Sequence, residues 1–275
     1  MNAPLAAIRP DNLDFLRRHI YAGSGIVLET EKQYLLDARL SPIAREQGLG
    51  SLDDLCALLR ATSESPLHRR VVEAMTTNET YFFREPAHYQ ALREVILPNL
   101  LQTRQTARKL SFWSAAASTG QEAYSLAMML LEMGVQGWDA EILGTDLSSQ
   151  VLERAQSGRY TQLEVNRGLP AALLLKYFRR VGLDWELKEE VRRMVRFQSF
   201  DLRSKMRAMG PFDVVFCRNI LIYFDLATKK SILEEMQGTL FRGGHLLLGS
   251  TEAGAPLGDG YTRQAVGSIT AYVAI

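Results

Sequence analysis

The sequence has little of what holds a chain together outside a hydrophobic core. Two cysteines occur, Cys56 and Cys217, each inside an apolar run (DDLCALL and VVFCRNIL) and neither with a Cys-x-x-Cys partner. That excludes a disulfide framework and a cysteine zinc site, and it makes a reducing cytoplasm the expected compartment. Long apolar runs are missing too: no segment approaches the roughly 18 uninterrupted apolar residues of a membrane span, so no membrane insertion is expected. The start, MNAPLAAIRPDNLDFLRR, carries Asp11, Asp14 and a proline-bounded beginning where an export signal has a basic end and a long apolar core, so no leader is expected. An excess of charge of one sign is absent. Against 32 basic residues stand 31 acidic ones, a net charge of +1, which leaves no overall field to gather nucleic acid or an anionic membrane. His19, His68, His88 and His245 show no H-E-x-x-H spacing, and no metal is expected. There is no G-x-S-x-G turn for a serine nucleophile, no G-x-G-x-x-G dinucleotide loop and no G-K-[ST] phosphate loop.

What is present is ordinary globular material, 47% hydrophobic and 23% charged over 275 residues, enough for two domains at roughly 100–200 residues each. From Asp11 to about Met75 the apolar residues fall at helical spacing in NLDFLRRHIYAGSG, EKQYLLDARLSPIAREQGL, SLDDLCALLRAT and SPLHRRVVEAM, each bounded by Gly, Ser, Thr or Pro. Ser51 with Asp54 three residues on resembles a weak capping box. Residues 1–75 are therefore expected to form an all-helical domain, with 76–108 as a linker and covering segment. From 109 to 275 short apolar runs (KLSFWSAA, AEILGTD, VRFQSFD, FDVVFCRNIL, HLLLGS) alternate with helical segments (QEAYSLAMMLLEM, SSQVLERAQSG, ATKKSILEEMQGTLF). Such alternation means an α/β fold with a mostly parallel sheet covered on both faces. YTRQAVGSITAYVAI adds antiparallel strands at one edge. At about 158–195 the alternation breaks, which marks an inserted subdomain.

Several constellations carry chemistry. In SAAASTGQEAYSLAM the small residues Ala115, Ala116, Ala117, Ser118 and Gly120 follow a strand, where a tight turn lets backbone approach a ligand; a plain packing turn is the alternative. Asp146 lies 26 residues beyond Gly120, at the end of the next strand. It is placed to accept ribose hydroxyls, or merely to cap the helix that follows. A ribose acid without a phosphate cradle points to a nucleoside lacking phosphates, of which S-adenosylmethionine is the commonest cofactor. LFRGGHLLLGS, read as helix, glycine pair and strand, agrees with that and also with plain α/β proteins. In TTNETYFFREPAHY, Asn78, Thr80, Arg84 and Glu85 are interleaved with Tyr81, Phe82 and Phe83, a mixture suited to a buried lid or seam. Arg84 can hold a carboxylate bidentately, or form an ion pair that fastens domains. In FDVVFCRNILIYFD, Arg218, Asn219 and Tyr223 follow a strand end, where Asn219 suits the amino-acid part of the cofactor and Tyr223 a substrate carboxylate; closing a turn is the alternative.

TTNETYFFRE, WSAAASTGQEAYSLAM, GTDLS, SGRY and FCRNILIYFD, in this order and after a small helical domain, resemble the chemotaxis receptor methyltransferases. These bacterial enzymes move a methyl group from S-adenosylmethionine to glutamate side chains of chemoreceptors, and the likeness runs on to LFRGGHLLLGSTE. It implies a Rossmann-like S-adenosylmethionine-dependent methyltransferase sheet with an N-terminal all-helical domain and a small inserted subdomain. It also implies cofactor contacts from Asn78, Thr80, Arg84, Glu122, Asp146, Arg218 and Asn219, beside the loop residues Ala115 and Gly120, with Asp201 and Leu202 flanking the adenine. S-adenosylhomocysteine would be the product. The helical domain of the family places a basic helix against the cytoplasmic helical bundle of receptors. Here the matching stretch is EKQYLLDARLSPIAREQG with Lys32, Arg39 and Arg45, although Glu31, Asp37 and Glu46 give it mixed charge. Some relatives also tether a receptor's C-terminal tail at the insert, whose entrance is Gly158, Arg159 and Tyr160 and whose stretch from Val181 to Glu190 looks short. A monomer is expected.

A glutamate carboxylate, with a reference pKa of about 4.3, is already an ionised nucleophile at pH 7, so the enzyme needs no general base and mainly positions it. Arg84 and Tyr223 are the expected catalytic holders. The competing readings are a methyltransferase acting on another substrate and a non-catalytic cofactor sensor; a nicotinamide oxidoreductase is disfavoured by the missing glycine fingerprint.

Overall fold

The computed structural model describes residues 8–135 and 137–275; the first seven residues, on which part of the leader argument rests, lie outside them. Packing divides the chain into two units, Met1–Thr77 with Tyr223–Asp225, and Asn78–Ile222 with Leu226–Ile275.

The first unit is helical: α1 (Pro10–Ser24), α2 (Tyr34–Glu46), α3 (Leu52–Ala61) and α4 (Pro66–Ala74). Its apolar residues recur every three or four positions, so that each helix buries one stripe: Leu16 and Ile20, Leu36 and Leu40, Leu52, Leu55 and Leu59. Each such buried side chain contributes about 1.5–3 kcal/mol. The Ser51 hydroxyl accepts from the Asp54 N–H at 3.0 Å, so the cap read from sequence starts α3. Tyr223 to Asp225 pack with this unit through the Val27 N–H donating to the Tyr223 carbonyl (3.0 Å) and the Tyr21 hydroxyl donating to Asp225 (2.7 Å).

The second unit begins with α5 (Pro86–Ala91) and α6 (Leu97–Thr103), joined by a wider helical turn. Residues 78–108 are no loose linker, because Phe82, Tyr89, Leu92, Ile96 and Leu97 are buried in this unit's core. β1 (Lys109–Ala115), α7 (Gln121–Glu132), β2 (Asp139–Asp146) and α8 (Ser149–Ser157) follow. The insert holds β3 (Arg159–Tyr160), α9 (Gln162–Asn166), α10 (Ala171–Tyr177), β4 (Phe178–Val181), β5 (Asp184–Leu187) and α11 (Glu189–Arg192). β6 (Val195–Ser199), β7 (Phe212–Cys217), α12 (Leu226–Gln237), β8 (Leu240–Leu248), β9 (Tyr261–Val266) and β10 (Ile269–Ala274) complete it.

Seven strands form one sheet in the order β6-β2-β1-β7-β8-β10-β9. The first five are parallel and the last two antiparallel, the edge expected from YTRQAVGSITAYVAI. The chain leaves β1 toward β2 on one side and β7 lies on the other, which opens a crevice at the carboxyl ends of these strands. β1 is anchored by Trp113, fully buried against Phe212 and Phe200, with its indole N–H donating to Thr145 Oγ1 at 2.9 Å.

One expected element differs. α12 stops at Gln237 and β8 starts at Leu240, so Gly243 and Gly244 sit inside the strand rather than between helix and strand. The ladder to β7 shifts register there, as glycines at a bulge allow. The insert carries its own three-stranded antiparallel sheet, β3-β5-β4, yet Tyr160, Tyr177, Phe178 and Leu187 join the main core. Too few residues are present for a separate one.

Candidate active site

Three loops converge at the carboxyl ends of β1, β2 and β7. Asp146, 8% exposed at the tip of β2, accepts from the Ser118 N–H at 2.9 Å and the Ser148 N–H at 3.0 Å, so one carboxylate ties the β1 loop to the start of α8. Ser148, rather than Asp146, is the N-cap of α8. The Ser118 hydroxyl donates to the Asn78 carbonyl (2.9 Å), which brings the Asn78–Glu85 segment alongside. The Phe200 N–H donates to the Asp146 carbonyl (2.9 Å), which brings up Asp201 and the buried Leu202. Ala115 is buried at the end of β1 and Thr80 is half-buried. The Asp201 carboxylate is gripped by Arg203 at 2.6–3.1 Å. Gly120, at φ +92, makes the tight turn before α7, but a Cβ there would meet Ala155 and Phe197 at 3.0 Å. Both that φ and those neighbours call for glycine here.

At the β7 end, Arg218 is buried between two acids. It donates to Glu122 at 2.9 Å, lies 3.3 Å from Glu85 and also donates to the Arg84 carbonyl, while its Nε has no hydrogen-bond partner among the described residues. Glu122 accepts in addition from the Ser114 hydroxyl at 2.8 Å. Burial pushes Glu122 upward against the pull of Arg218 and Ser114, and the surrounding acids keep Arg218 charged. The Asn219 amide donates to Glu85 at 3.0 Å. His88 is no free base here, since its Nε2 is bonded to the Leu248 carbonyl at 2.8 Å and burial lowers its pKa.

Glu85, seen in the sequence only as part of a seam, is a member of this network. Burial raises its pKa, but the Asn219 amide, the Arg218 charge and the Ser250 N–H outweigh burial and hold it at about 2. A carboxylate held below its unfolded value stabilises the fold above the unfolded pKa and loses that contribution as pH falls through the folded one. Glu85→Gln is therefore expected to cost about 1–2 kcal/mol near neutrality, after discounting for solvent screening, with the difference from wild type shrinking between about pH 4.5 and 2. Urea unfolding across that range measures it; a deficit independent of pH contradicts it.

Tyr160, from the SGRY motif at the entrance of the insert, is a second residue whose task no local pattern shows. It is buried, and its hydroxyl donates to the Thr119 carbonyl at 2.8 Å, so the insert props the β1 loop. No local signal in the sequence pairs residues so far apart. Arg84 donates to the Glu79 carbonyl at 2.8 Å, while the Glu79 carboxylate goes to Arg167 at 2.5 Å. Among non-glycine residues described, six have positive φ, and Phe83, Glu85, Ala116, Ser118 and Asn219, five of the six, lie on these segments. Such conformations cost about 1–3 kcal/mol each and persist where the surroundings impose them, as at functional sites.

Tyr223 packs with the helical unit, half-buried. The three cations assigned to docking do not form one helix face. Lys32 lies in a short turn before α2, paired with Glu29 at 2.9 Å, and Arg45 is exposed in the last turn of α2. Arg39 donates to the carbonyls of Met75 (2.9 Å) and Thr76 (2.8 Å). The end of α4 leaves carbonyls without intrahelical partners, and Arg39 satisfies them. Arg39 thus has a structural task within its own unit as well.

Residues 78–258 match the family model described as CheR methyltransferase, SAM binding domain, and residues 11–76 match the CheR methyltransferase, all-alpha domain. The chain belongs to the CheR methyltransferase family. It is 39% identical to the chemotaxis protein methyltransferase Cher2 of Pseudomonas putida over 91% of this chain and 94% of that one. It is 40% identical to chemotaxis protein methyltransferase 1 of Pseudomonas aeruginosa, over 91% and 93%, and 38% identical to a chemotaxis protein methyltransferase of Vibrio parahaemolyticus, over 88% and 89%. This CheR chain is an S-adenosylmethionine-dependent methyltransferase. Its residues fit that cofactor on two structural grounds. Asp146 offers an acceptor-only group beside a loop of small residues, as ribose hydroxyls require. Glu85, held ionised, and Glu122 offer carboxyl groups on either side of Arg218, a setting that suits a cation.

Proposed function

We propose that this methyltransferase esterifies glutamate side chains in the cytoplasmic helical bundle of bacterial chemoreceptors. The observation that carries the cofactor half is Asp146, fixed by the Ser118 and Ser148 N–H groups at the mouth of the crevice. The cofactor supplies, when bound, a methyl group on a positively charged sulfur. In this reading Asp146 holds the ribose, Leu202 and Asp201 border the base, and Glu122, Arg218, Asn219, Asn78, Thr80 and Arg84 hold the rest. Glu122 and Glu85 favour a positively charged ligand over its neutral product. No side chain has to remove a proton, because the substrate carboxylate is ionised already. Arg84 and Tyr223 hold that carboxylate by charge and by a hydroxyl donor.

Tyr223→Phe keeps the ring that packs with the helical unit and deletes only the hydroxyl. It is expected to leave S-adenosylhomocysteine binding within two-fold and to lower kcat by about 10-fold or more, the worth of a hydrogen bond to a charged group. Full turnover in this variant contradicts the role.

The helical unit is the receptor-facing part of the proposal, with Lys32, Arg39 and Arg45 as its cations. β4 is an edge strand of the insert's sheet and suits an extended receptor tail by strand addition. The experiment is to offer the enzyme a purified receptor cytoplasmic fragment from the same cell beside an unrelated acidic helical protein. Methylation of the fragment alone supports the reading, and equal methylation of both contradicts it.

A further inference from the structure

Glu252 follows β8 in the sequence GSTE, where nothing in the residue pattern marks it for chemistry. In the structure it is 5% exposed and turned toward the end of β7. Its Oε2 accepts from the N–H groups of Asn219 (2.7 Å) and Gly249 (2.9 Å), and its Oε1 from those of Leu221 (2.7 Å) and Ile222 (3.4 Å). A carboxylate is acceptor-only with room for about four donors, so one side chain satisfies both strand ends at once. The loop it grips is the one carrying Arg218 and Asn219. Asn219 is there at φ +59, in the left-handed region that asparagine enters more readily than other non-glycine residues. Gly249 completes the arrangement: a Cβ on it would stand 2.7 Å from Glu252 Oε2 and 2.8 Å from the Asn219 amide nitrogen.

We propose that Glu252 is a positioning residue for the cofactor, holding Asn219 in its left-handed backbone and so fixing Arg218 and Asn219 before any ligand arrives. This rests on the cofactor reading of Arg218 and Asn219 given above. In Glu252→Gln the carboxamide turns an N–H donor toward the donors of the loop, and the grip is lost. Gly249→Ala displaces the same carboxylate without changing its charge, and should reproduce the effect.

The test is calorimetric titration of S-adenosylhomocysteine into the full chain below the melting transition, with Asp213→Asn as a control. Asp213 is another buried carboxylate of this unit, bonded to Arg104 at 2.8 Å and the Ser111 N–H at 2.9 Å near the amino ends of the strands. Glu252→Gln and Gly249→Ala are expected to weaken binding at least 10-fold and to raise KM for S-adenosylmethionine but not for receptor. Asp213→Asn is expected to melt lower yet bind within two-fold of wild type. Equal weakening by all three, or unchanged binding in Glu252→Gln, overturns the proposal. Wild type that binds nothing overturns the cofactor reading instead. Hydrogen exchange of the wild type needs no variant to fold. The Asn219 and Leu221 amides should exchange slowly without ligand and change little when S-adenosylhomocysteine is added. Fast exchange that slows only with ligand means the ligand orders the loop, and the proposal fails.

Discussion

Arg218→Met is expected to destabilise the second unit by about 3–5 kcal/mol, the cost of leaving buried charge without its partner. The guanidinium is 1% exposed and stands between Glu85 and Glu122. Methionine matches much of its bulk, so the loss is electrostatic more than a cavity. Without the cation, the Glu122 pKa, already raised by burial, rises further above its unfolded value. A carboxyl group with a raised folded pKa takes up a proton on folding, so the variant's stability grows as pH falls. The deficit should therefore be largest near pH 8 and narrow toward pH 5. Trp113, Trp138 and Trp185 all lie in the second unit, so urea unfolding followed by tryptophan fluorescence reads this unit directly. A deficit under 1 kcal/mol, or one that widens as pH falls, contradicts the account.

Asp146→Ala is expected to weaken S-adenosylhomocysteine binding by about 100-fold. A hydrogen bond to a charged group contributes about 1.5–3 kcal/mol, and each 1.4 kcal/mol is tenfold in affinity. The substitution also strips the Ser118 and Ser148 N–H groups of their acceptor, and both residues are buried. Asp146→Asn keeps one acceptor oxygen but turns an amide toward the other N–H, so it should fall between wild type and alanine. Titration calorimetry gives the order. Alanine binding as well as wild type would mean that Asp146 only ties the two loops together.

The strands and helices of the second unit were readable because each side chain reports its own element: the apolar runs at Phe112 and Val214 are buried, and Leu126 and Leu130 face the core from α7. Asp146 was readable for the same reason, since an acid at a strand end is anomalous by itself. Glu85, Tyr160 and Glu252 were not, because each acts on a partner distant in sequence, Arg218, Thr119 and the Asn219 N–H respectively. Composition records no such pairing. The task of Arg39 within its unit was equally hidden. A cation on an amphipathic helix reads as surface charge, whereas here the end of α4 supplies carbonyls that claim it. Gly120 likewise has neighbours, Phe197 and Ala155, that no local pattern pairs with it.

The central claim is that this chain makes glutamyl methyl esters on receptors. It is tested most directly by transferring labelled methyl from S-adenosylmethionine to chemoreceptor-containing membranes of the same cell, then treating the labelled protein with mild alkali. The account predicts label on receptor protein that alkali releases as methanol. Label that survives alkali, or no label from a preparation that binds S-adenosylhomocysteine, would contradict it.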